Sequence, residues 1–189
     1  MIRVLYLLTA PVRPTPDALD EEKMKRMEQL LAREKMVAVG EIGLDFCKPI
    51  DRTLQLQRLT EQAALAEKRR LPIVLHCVKA YDKLLSLMDR YTVPILFHGF
   101  TGSPQLACQL IRKGYFLSFG TTLFRSPRTQ EALRTTPNEH LFLETDEADT
   151  TIEEIYRLFP QLKERENSWG KRPDQATAPS ASRSSTIRF

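Results

Sequence analysis

Five short apolar runs, each followed by a segment with helical spacing of apolar residues, constrain the fold of this 189-residue chain most. The runs are apolar almost throughout, which is typical of parallel strands that are covered on both faces. The predicted strands lie near residues 36–42, 72–77, 94–98, 115–119 and 140–145. Regular repetition of strand and helix predicts an α/β fold with a parallel sheet, either a barrel or a doubly wound sheet.

Helices are predicted from apolar residues that recur three and four positions apart. A first helix is expected to begin at Thr15–Pro16, because a residue that can cap a helix precedes a proline there. The later helices are expected over 52–69 and 80–91, from Ser103–Pro104, from Ser126–Pro127, and from about 151 to 164. A complete (β/α)8 barrel usually needs about 250 residues. The chain therefore resembles most of a TIM barrel.

The end of the chain has a different composition. From about residue 167 onward the sequence is rich in Ser, Pro, Ala and Arg and has no apolar periodicity. Such a segment cannot bury enough apolar surface to offset the entropy of ordering it. We therefore predict one barrel domain over 1–164 and a disordered, dispensable tail over 165–189.

Charge and cysteine content narrow the function classes. The formal net charge is +4, but residues 161–189 hold six basic and three acidic side chains, so the body of the chain is nearly neutral. It carries no basic stripe that would by itself indicate DNA binding. No run approaches the roughly 18 apolar residues of a membrane span. Three cysteines without a C-x-x-C pair indicate free thiols, so we expect a cytoplasmic protein with no membrane partner and no obligate protein partner.

Four of the predicted strands end at a side chain that can ligate a metal ion. These side chains are Glu41, His76, His98 and Asp146. In parallel barrels such strand ends meet at one edge, where the active site lies. A single histidine or carboxylate at a strand end is more often structural, but four equivalent positions favour a site for Zn²⁺, Mn²⁺ or Mg²⁺. The third histidine, His140, begins a strand and is assigned a structural role.

Other residues with reactive or aromatic side chains are assigned to packing. Cys77 and Cys108 have no basic partner at motif spacing, so we expect core residues and no nucleophile. The aromatic rings of Phe46, Phe100 and Phe124 could stack on nucleic-acid bases, but packing in the core or at its rim is the preferred interpretation.

Five motifs together resemble one known family. They are "GEIGLD" (40–45), "LPIVLHCVKAYDKLL" (71–85), "FHGFTGS" (97–103), "GYFLS" (114–118) and "LFLETD" (141–146). In this order and at these spacings, the stretch over 36–146 resembles the TatD family of metal-dependent deoxyribonucleases. The resemblance implies a (β/α)8 TIM-barrel fold and hydrolysis of DNA phosphodiester bonds by a water activated by divalent metal.

The resemblance also implies roles for individual residues. Glu41 would bridge two metal ions, His76 and His98 would complete one of them, and Asp146 would bind the other and accept a proton from the attacking water. Lys79 stands where the family commonly has a basic residue and could contact a phosphate, although a solvated helix start explains it equally well. We interpret the glycines beside Glu41 as leaving room for metal and substrate.

The sequence departs from the family pattern at both ends. Members begin with a His-x-His pair on the first strand, whereas this chain has no histidine before His76, and at most Arg3–Leu8 could replace that strand. We expect a barrel that is incomplete at its N-terminal strands, apparently N-terminally truncated, and short at its C-terminal end. The family pattern provides for one or two metal ions. Without the His-x-His pair, one metal position keeps only carboxylate ligands, whereas the other keeps its three ligands. This predicts about one tightly bound ion per chain and impaired nuclease activity.

Three functions remain compatible with the sequence. The first is a shortened TatD-like nuclease. The second is a metallohydrolase of the same architecture that acts on an amide or a small phosphoester. The third is a non-catalytic, degenerate barrel fragment that at most binds a metal or a partner.

Overall fold

The computed structural model describes residues 3–4, 22, 25, 29, 36–146 and 149–164. The described strands are β1 (Arg3–Val4), β2 (Val39–Asp45), β3 (Ile73–Val78), β4 (Ile95–Phe97), β5 (Phe116–Phe119) and β6 (Leu141–Leu143). The helices with described bounds are α1 (Arg52–Arg69), α2 (Tyr81–Met88), α3 (Pro104–Arg112), α4 (Pro127–Thr135) and α5 (Ile152–Glu164). Short 3-10 helices cover Thr121–Phe124 and Asn138–His140.

All the described strands form one parallel sheet in the order β1-β6-β5-β4-β3-β2. From β2 to β6 each strand lies beside the next strand in the chain, without the reversal of order that defines a doubly wound sheet. Strands wound in one direction, with helices between them, are the arrangement of a (β/α)8 barrel. Among the described residues β2 pairs only with β3 and β1 only with β6, so the prediction of an incomplete TIM-barrel-like fold is confirmed.

The ends of the chain are described only in part. Arg3 and Val4 pair with Phe142 and Leu143, so the start of the predicted replacement strand does join the sheet, beside β6. The remainder of that predicted strand, residues 5–8, lies outside the described residues. Three positions within the predicted first helix, 22, 25 and 29, are helical. The predicted tail over 165–189 lies outside the described residues.

Side-chain caps begin three of the described helices, two of them at the predicted Ser-Pro pairs. The side chains of Asp51, Ser103 and Ser126 accept hydrogen bonds from the first turns of α1, α3 and α4. A proline follows each of the two serines and fits the first helical turn, where its missing N–H costs nothing. These caps explain why α1 has the predicted bounds and why α3 and α4 begin where expected.

Strand β2 lies three residues further along the chain than predicted. The sequence indicated 36–42, but the strand runs from Val39 to Asp45, and its last three residues pair with His76, Cys77 and Val78 of β3. Glu41 is therefore inside β2, at a shift in register between Val39 and Ile42, and not after the end of the strand. Glycine is normally a strand breaker, which is why the sequence placed the end too early.

The glycines around Glu41 serve the packing of two strands. A Cβ atom added to Gly43 would lie 1.9 Å from the carbonyl oxygen of His76, and one added to Gly40 would lie 2.5 Å from Cβ of Val74. The space that glycine leaves open at both positions is thus filled by β3. The interpretation that these glycines leave room for metal and substrate is wrong.

The buried apolar side chains in the described part of the chain form two separate clusters, which the alternation of the strands assigns to the two faces of the sheet. The larger cluster packs the sheet against the helices and includes Ile73, Leu75 and Phe97. The smaller cluster lies on the inner face and consists of Ala38, Val74, Leu96, Phe116 and Phe142. The inner face is therefore filled by one layer of apolar side chains. Polar residues two positions further along the chain, in or just after β3, β4, β5 and β6, lie beyond that layer.

No described helix is long and apolar enough to cross a membrane. The three cysteines are free thiols, with Cys47 exposed and Cys77 and Cys108 half-buried.

Candidate metal centre

Strand alternation places both predicted histidines on the inner face. His76 follows Val74 by two residues in β3, and His98 follows Leu96 by two residues at the end of β4. The backbone N–H of His98 donates to the carbonyl of Leu75 at 3.0 Å, so pairing with β3 fixes the position of His98. The two imidazole rings stack with their centroids 5.7 Å apart.

Three of the four predicted ligands converge on one point. Nε2 of His98 lies 3.2 Å from Oε2 of Glu41 and 3.4 Å from Nδ1 of His76. One donor atom from each of these residues lies within 4.8 Å of the others. Two ligand atoms bound at about 2.1 Å to a tetrahedral Zn²⁺ are about 3.4 Å apart. The spacing and the mixed nitrogen and oxygen donors therefore fit a divalent cation.

Asp146 lies near this cluster without joining it. The residue is exposed, has a left-handed backbone conformation with φ of 40°, and stands three residues beyond the end of β6. It is not one of the three residues whose donor atoms converge. Its negative charge nevertheless contributes to raising the pKa of His98, so the two side chains are close enough to interact.

The environment of His98 is strongly negative. Burial alone would lower the pKa of this imidazole, but the contact with Glu144 and the charges of Glu144, Glu41 and Asp146 outweigh burial and raise the pKa. Several carboxylates around a largely buried nitrogen ligand repel one another unless a positive charge lies between them. This arrangement provides the negative potential that a cation site needs.

Three residues around the cluster were not predicted. Glu144 is buried, and its Oε1 lies 3.3 Å from Nδ1 of His98. Ser118, also buried, donates to Oε2 of Glu144 at 2.5 Å. Asp45 is buried, with Oδ2 at 3.7 Å from Nε2 of His76. The alternation of side chains along a strand is the signal that could have identified Glu144 and Ser118, because each lies two residues after a phenylalanine on the inner face.

The turn after β2 is held by a buried amide. Oε1 of Gln55 accepts from the backbone N–H of Asp45 at 2.8 Å, and Nε2 of Gln55 donates to the carbonyl of the same residue at 3.1 Å. The Asp45 carboxylate also accepts from the N–H of Cys47 at 2.9 Å. Helix α1 thereby fixes the C-terminal end of β2 and the carboxylate beside His76.

The family of the chain follows from a model of TatD-related DNases, which matches residues 8–166. The chain belongs to this family. It is 37% identical over 137 residues to the uncharacterized metal-dependent hydrolase YjjV of Escherichia coli, covering 68% of this chain and 52% of YjjV. It is 32% identical over 146 residues to the 3′-5′ ssDNA/RNA exonuclease TatD of Cronobacter sakazakii, covering 73% of this chain and 56% of that protein.

The TatD-family fold is also found by structural comparison. The crystal structure of the E. coli YjjV protein matches with a TM-score of 0.63 at 30% identity, covering 83% of this chain and 69% of that one. The chain spans about half the length of the curated relatives it matches. The family and the fold implied by the sequence motifs are therefore confirmed.

The remaining candidates are one lysine and three aromatic residues, of which Phe46 packs against the main core of this TatD-family fold. Lys79 is exposed directly after β3, with φ of 52°. Phe46 is half-buried beneath the guanidinium of Arg52, which lies 4.6 Å from the ring centroid, and Phe124 is exposed. Phe100 is buried against Phe119, as expected for a core residue.

The assignments of Cys77 to the core and of His140 to a structural role are confirmed, whereas a core position of Cys108 stays a prediction. Cys77 packs against the main core, and burial raises the pKa of its thiol to about 12, so it is no thiolate nucleophile. Cys108 is half-buried in α3. His140 has a structural role, since its Nδ1 lies 2.8 Å from the carbonyl oxygen of Tyr115 and its ring packs on Phe116.

Proposed function

We propose that this chain is a metal-dependent hydrolase that cleaves phosphodiester bonds of DNA with an activated water molecule. The observation that carries the proposal is the convergence of Glu41, His76 and His98 at the inner face of the barrel, with donor atoms 3.2 and 3.4 Å apart. Membership of the TatD-related DNase family supports hydrolysis. The similarity to an exonuclease that acts on single-stranded DNA and RNA supports a nucleic-acid substrate.

The three converging residues would hold a divalent cation, Zn²⁺, Mn²⁺ or Mg²⁺. When bound, the cation would activate a water molecule near neutral pH and would offset the negative charge of the phosphodiester during in-line displacement. Glu41 and the two histidines would fix the cation on the inner face, where the apolar layer below limits access to one side. His98 is held there by its backbone bond to β3, so the site needs little rearrangement.

Asp146 is the proposed proton acceptor for the attacking water. An exposed carboxylate can exchange its proton with solvent after each cycle, whereas the buried Glu144 cannot do so readily. Asp146 could alternatively help to ligate a second cation, together with Glu41. Lys79, exposed at the same edge of the sheet, is proposed to contact a phosphate of the substrate as a point charge.

The ligand set predicts one tight cation site. Three protein ligands with an open position are the usual arrangement of a catalytic zinc ion. Glu41 and Asp146 alone would hold a second cation weakly, because two carboxylates without imidazole ligands suit readily exchanged Mg²⁺ or Mn²⁺. We therefore propose slow hydrolysis, because the joint stabilisation of the attacking and leaving oxygens that a pair of cations would supply would be reduced.

The test is digestion of an end-labelled single-stranded DNA oligonucleotide by excess protein, supplied in turn with Mg²⁺, Mn²⁺ and Zn²⁺. Shortened products that disappear with a chelator and with His98→Ala are expected. His140→Gln is the matched control, because this histidine lies outside the cluster and should leave digestion intact. Digestion that survives both the chelator and His98→Ala would contradict the proposal, as would metal binding without any product from DNA.

A further inference from the structure

The imidazole of His98 lies between two carboxylates that contact opposite ring nitrogens. Nε2 lies 3.2 Å from Oε2 of Glu41, within the donor cluster, and Nδ1 lies 3.3 Å from Oε1 of Glu144, behind the cluster. Both carboxylates are largely shielded from solvent, with side-chain exposures of 14% and 9%. Nε2 is the ring nitrogen that lies beside Glu41 and His76, whereas Nδ1 lies beside Glu144. Only Nε2 of His98 can therefore serve as the ligand atom.

A histidine can bind a cation through Nε2 only when that nitrogen carries no proton. The neutral ring must then carry its proton on Nδ1. An ionised carboxylate accepts hydrogen bonds but cannot donate one, so Glu144 favours the tautomer with the proton on Nδ1. Glu41, by the same reasoning, favours a proton on Nε2. Before a cation binds, the Nδ1–H tautomer therefore predominates only if Glu144 favours it more strongly than Glu41 favours the Nε2–H tautomer.

Glu144 is itself held in place by a short polar chain. The hydroxyl of Ser118 donates to Oε2 at 2.5 Å, and the backbone N–H of Gly99 donates to that hydroxyl oxygen at 3.2 Å. Gly99 directly follows His98, so the chain of contacts returns to the residue that it orients. Oε1 of Glu144 is buried and has no hydrogen-bond partner among the described residues apart from its contact with the His98 ring.

We propose that Glu144 is a positioning residue that holds His98 in the Nδ1–H tautomer, with its Nε2 lone pair directed at the cation position. Ser118 and the N–H of Gly99 keep the carboxylate oriented for this task. The proposal rests on the proposed function only in taking the cluster of Glu41, His76 and His98 as a cation site. It is independent of the substrate.

The first measurement is zinc affinity of the full chain by calorimetry. Glu144→Gln keeps the size of the side chain but removes its charge, and its amide can present a donor to Nδ1. A loss of about 10- to 100-fold in zinc affinity is expected, as for other residues that orient a metal-bound histidine. Ser118→Ala keeps the Glu144 charge and removes one hydrogen bond, so a smaller loss of about two- to tenfold is expected. Glu153→Gln, an exposed change in α5, is the matched control and should bind as the unaltered chain does.

The second measurement reads the tautomer directly by long-range ¹H–¹⁵N correlation of the histidine rings. The chain has three histidines, so single substitutions of the other two assign the His98 signals. In the unaltered chain we expect the proton on Nδ1 of His98, and in Glu144→Gln a mixture of tautomers. Circular dichroism establishes that each variant is folded. If Glu144→Gln does not fold, Ser118→Ala still tests the proposal by both measurements.

The outcomes separate this proposal from the proposed function. Unchanged zinc affinity together with an unchanged His98 tautomer in a folded Glu144→Gln variant would overturn the positioning role alone. Zinc binding that weakens as expected, in a chain that does not hydrolyse DNA, would support the positioning role and overturn the proposed function. Failure of the unaltered chain to bind Zn²⁺, Mn²⁺ or Mg²⁺ would overturn both.

Discussion

The close approach of β2 to β3 at Gly43 should be essential for stability and for the cation site. A Cβ atom at this position would lie 1.9 Å from the carbonyl oxygen of His76, whereas real Cβ atoms essentially never approach another atom within 3.0 Å. Gly43→Ala would therefore force the two strands apart by about 1 Å. Backbone atoms cannot rotate away as the end of a flexible side chain can, so the strain falls on the hydrogen bonds between the strands.

The expected cost can be compared with that at a glycine in open space. Overpacking costs about 1–3 kcal/mol, and each weakened backbone hydrogen bond adds about 1 kcal/mol, so Gly43→Ala should lower the free energy of unfolding by about 3–5 kcal/mol. Gly114, in the loop after α3, has φ of 83° and no atom within 4 Å of an added Cβ. Gly114→Ala should cost only the strain of a left-handed alanine, about 1–2 kcal/mol.

Urea unfolding followed by far-ultraviolet circular dichroism measures the free energy of unfolding of both variants. Calorimetry with Zn²⁺ measures their zinc affinity. Gly43 pairs with His76 in the sheet and lies two residues from Glu41, so Gly43→Ala should also weaken zinc binding. Gly114→Ala should leave zinc binding unchanged. If the two variants lose the same free energy of unfolding and both keep full zinc affinity, the role assigned to this strand contact is wrong.

The core, the tail and the site can each be tested by one further change to the chain. Phe97 is fully buried and packs on Tyr81 and Tyr115, so Phe97→Ala should lower the free energy of unfolding in urea by about 3–5 kcal/mol; a loss below about 1 kcal/mol would contradict this packing. Deletion of 165–189 should leave the thermal midpoint nearly unchanged, and a large decrease would show that these residues pack on the barrel. Asp146→Ala should reduce DNA hydrolysis more than zinc content, and an equal loss of both would show that Asp146 mainly holds the metal.

Much of the fold can be predicted from the sequence because its signals are local. Helix α1 has the predicted bounds since its apolar spacing and its cap lie within the same segment. Strand β2 could not be placed correctly, because Gly40 and Gly43 break strands in isolation and are tolerated here only through the approach of β3. That approach is a tertiary contact between segments that are more than 30 residues apart in the chain.

Some residues of the site could likewise be predicted from the sequence, whereas others depend on tertiary contacts. His76 and His98 could be identified because each directly follows an apolar run in the sequence. Glu144 could not be singled out by the rule of one polar residue per strand end, because Asp146 also follows this apolar run. Side-chain alternation from Phe142 places Glu144 on the inner face. The approach of Asp45 to His76 depends on the register shift within β2, which no local pattern reveals.

Metal content decides whether Glu41, His76 and His98 hold a divalent cation. The full chain would be loaded with Zn²⁺, dialysed extensively and measured by elemental analysis, beside His76→Ala, His98→Ala and the control His140→Gln. We expect about one ion per chain in the unaltered protein and in the control, and almost none in the other two variants. Two tightly bound ions per chain, no bound ion, or full retention of zinc by His98→Ala would contradict the account.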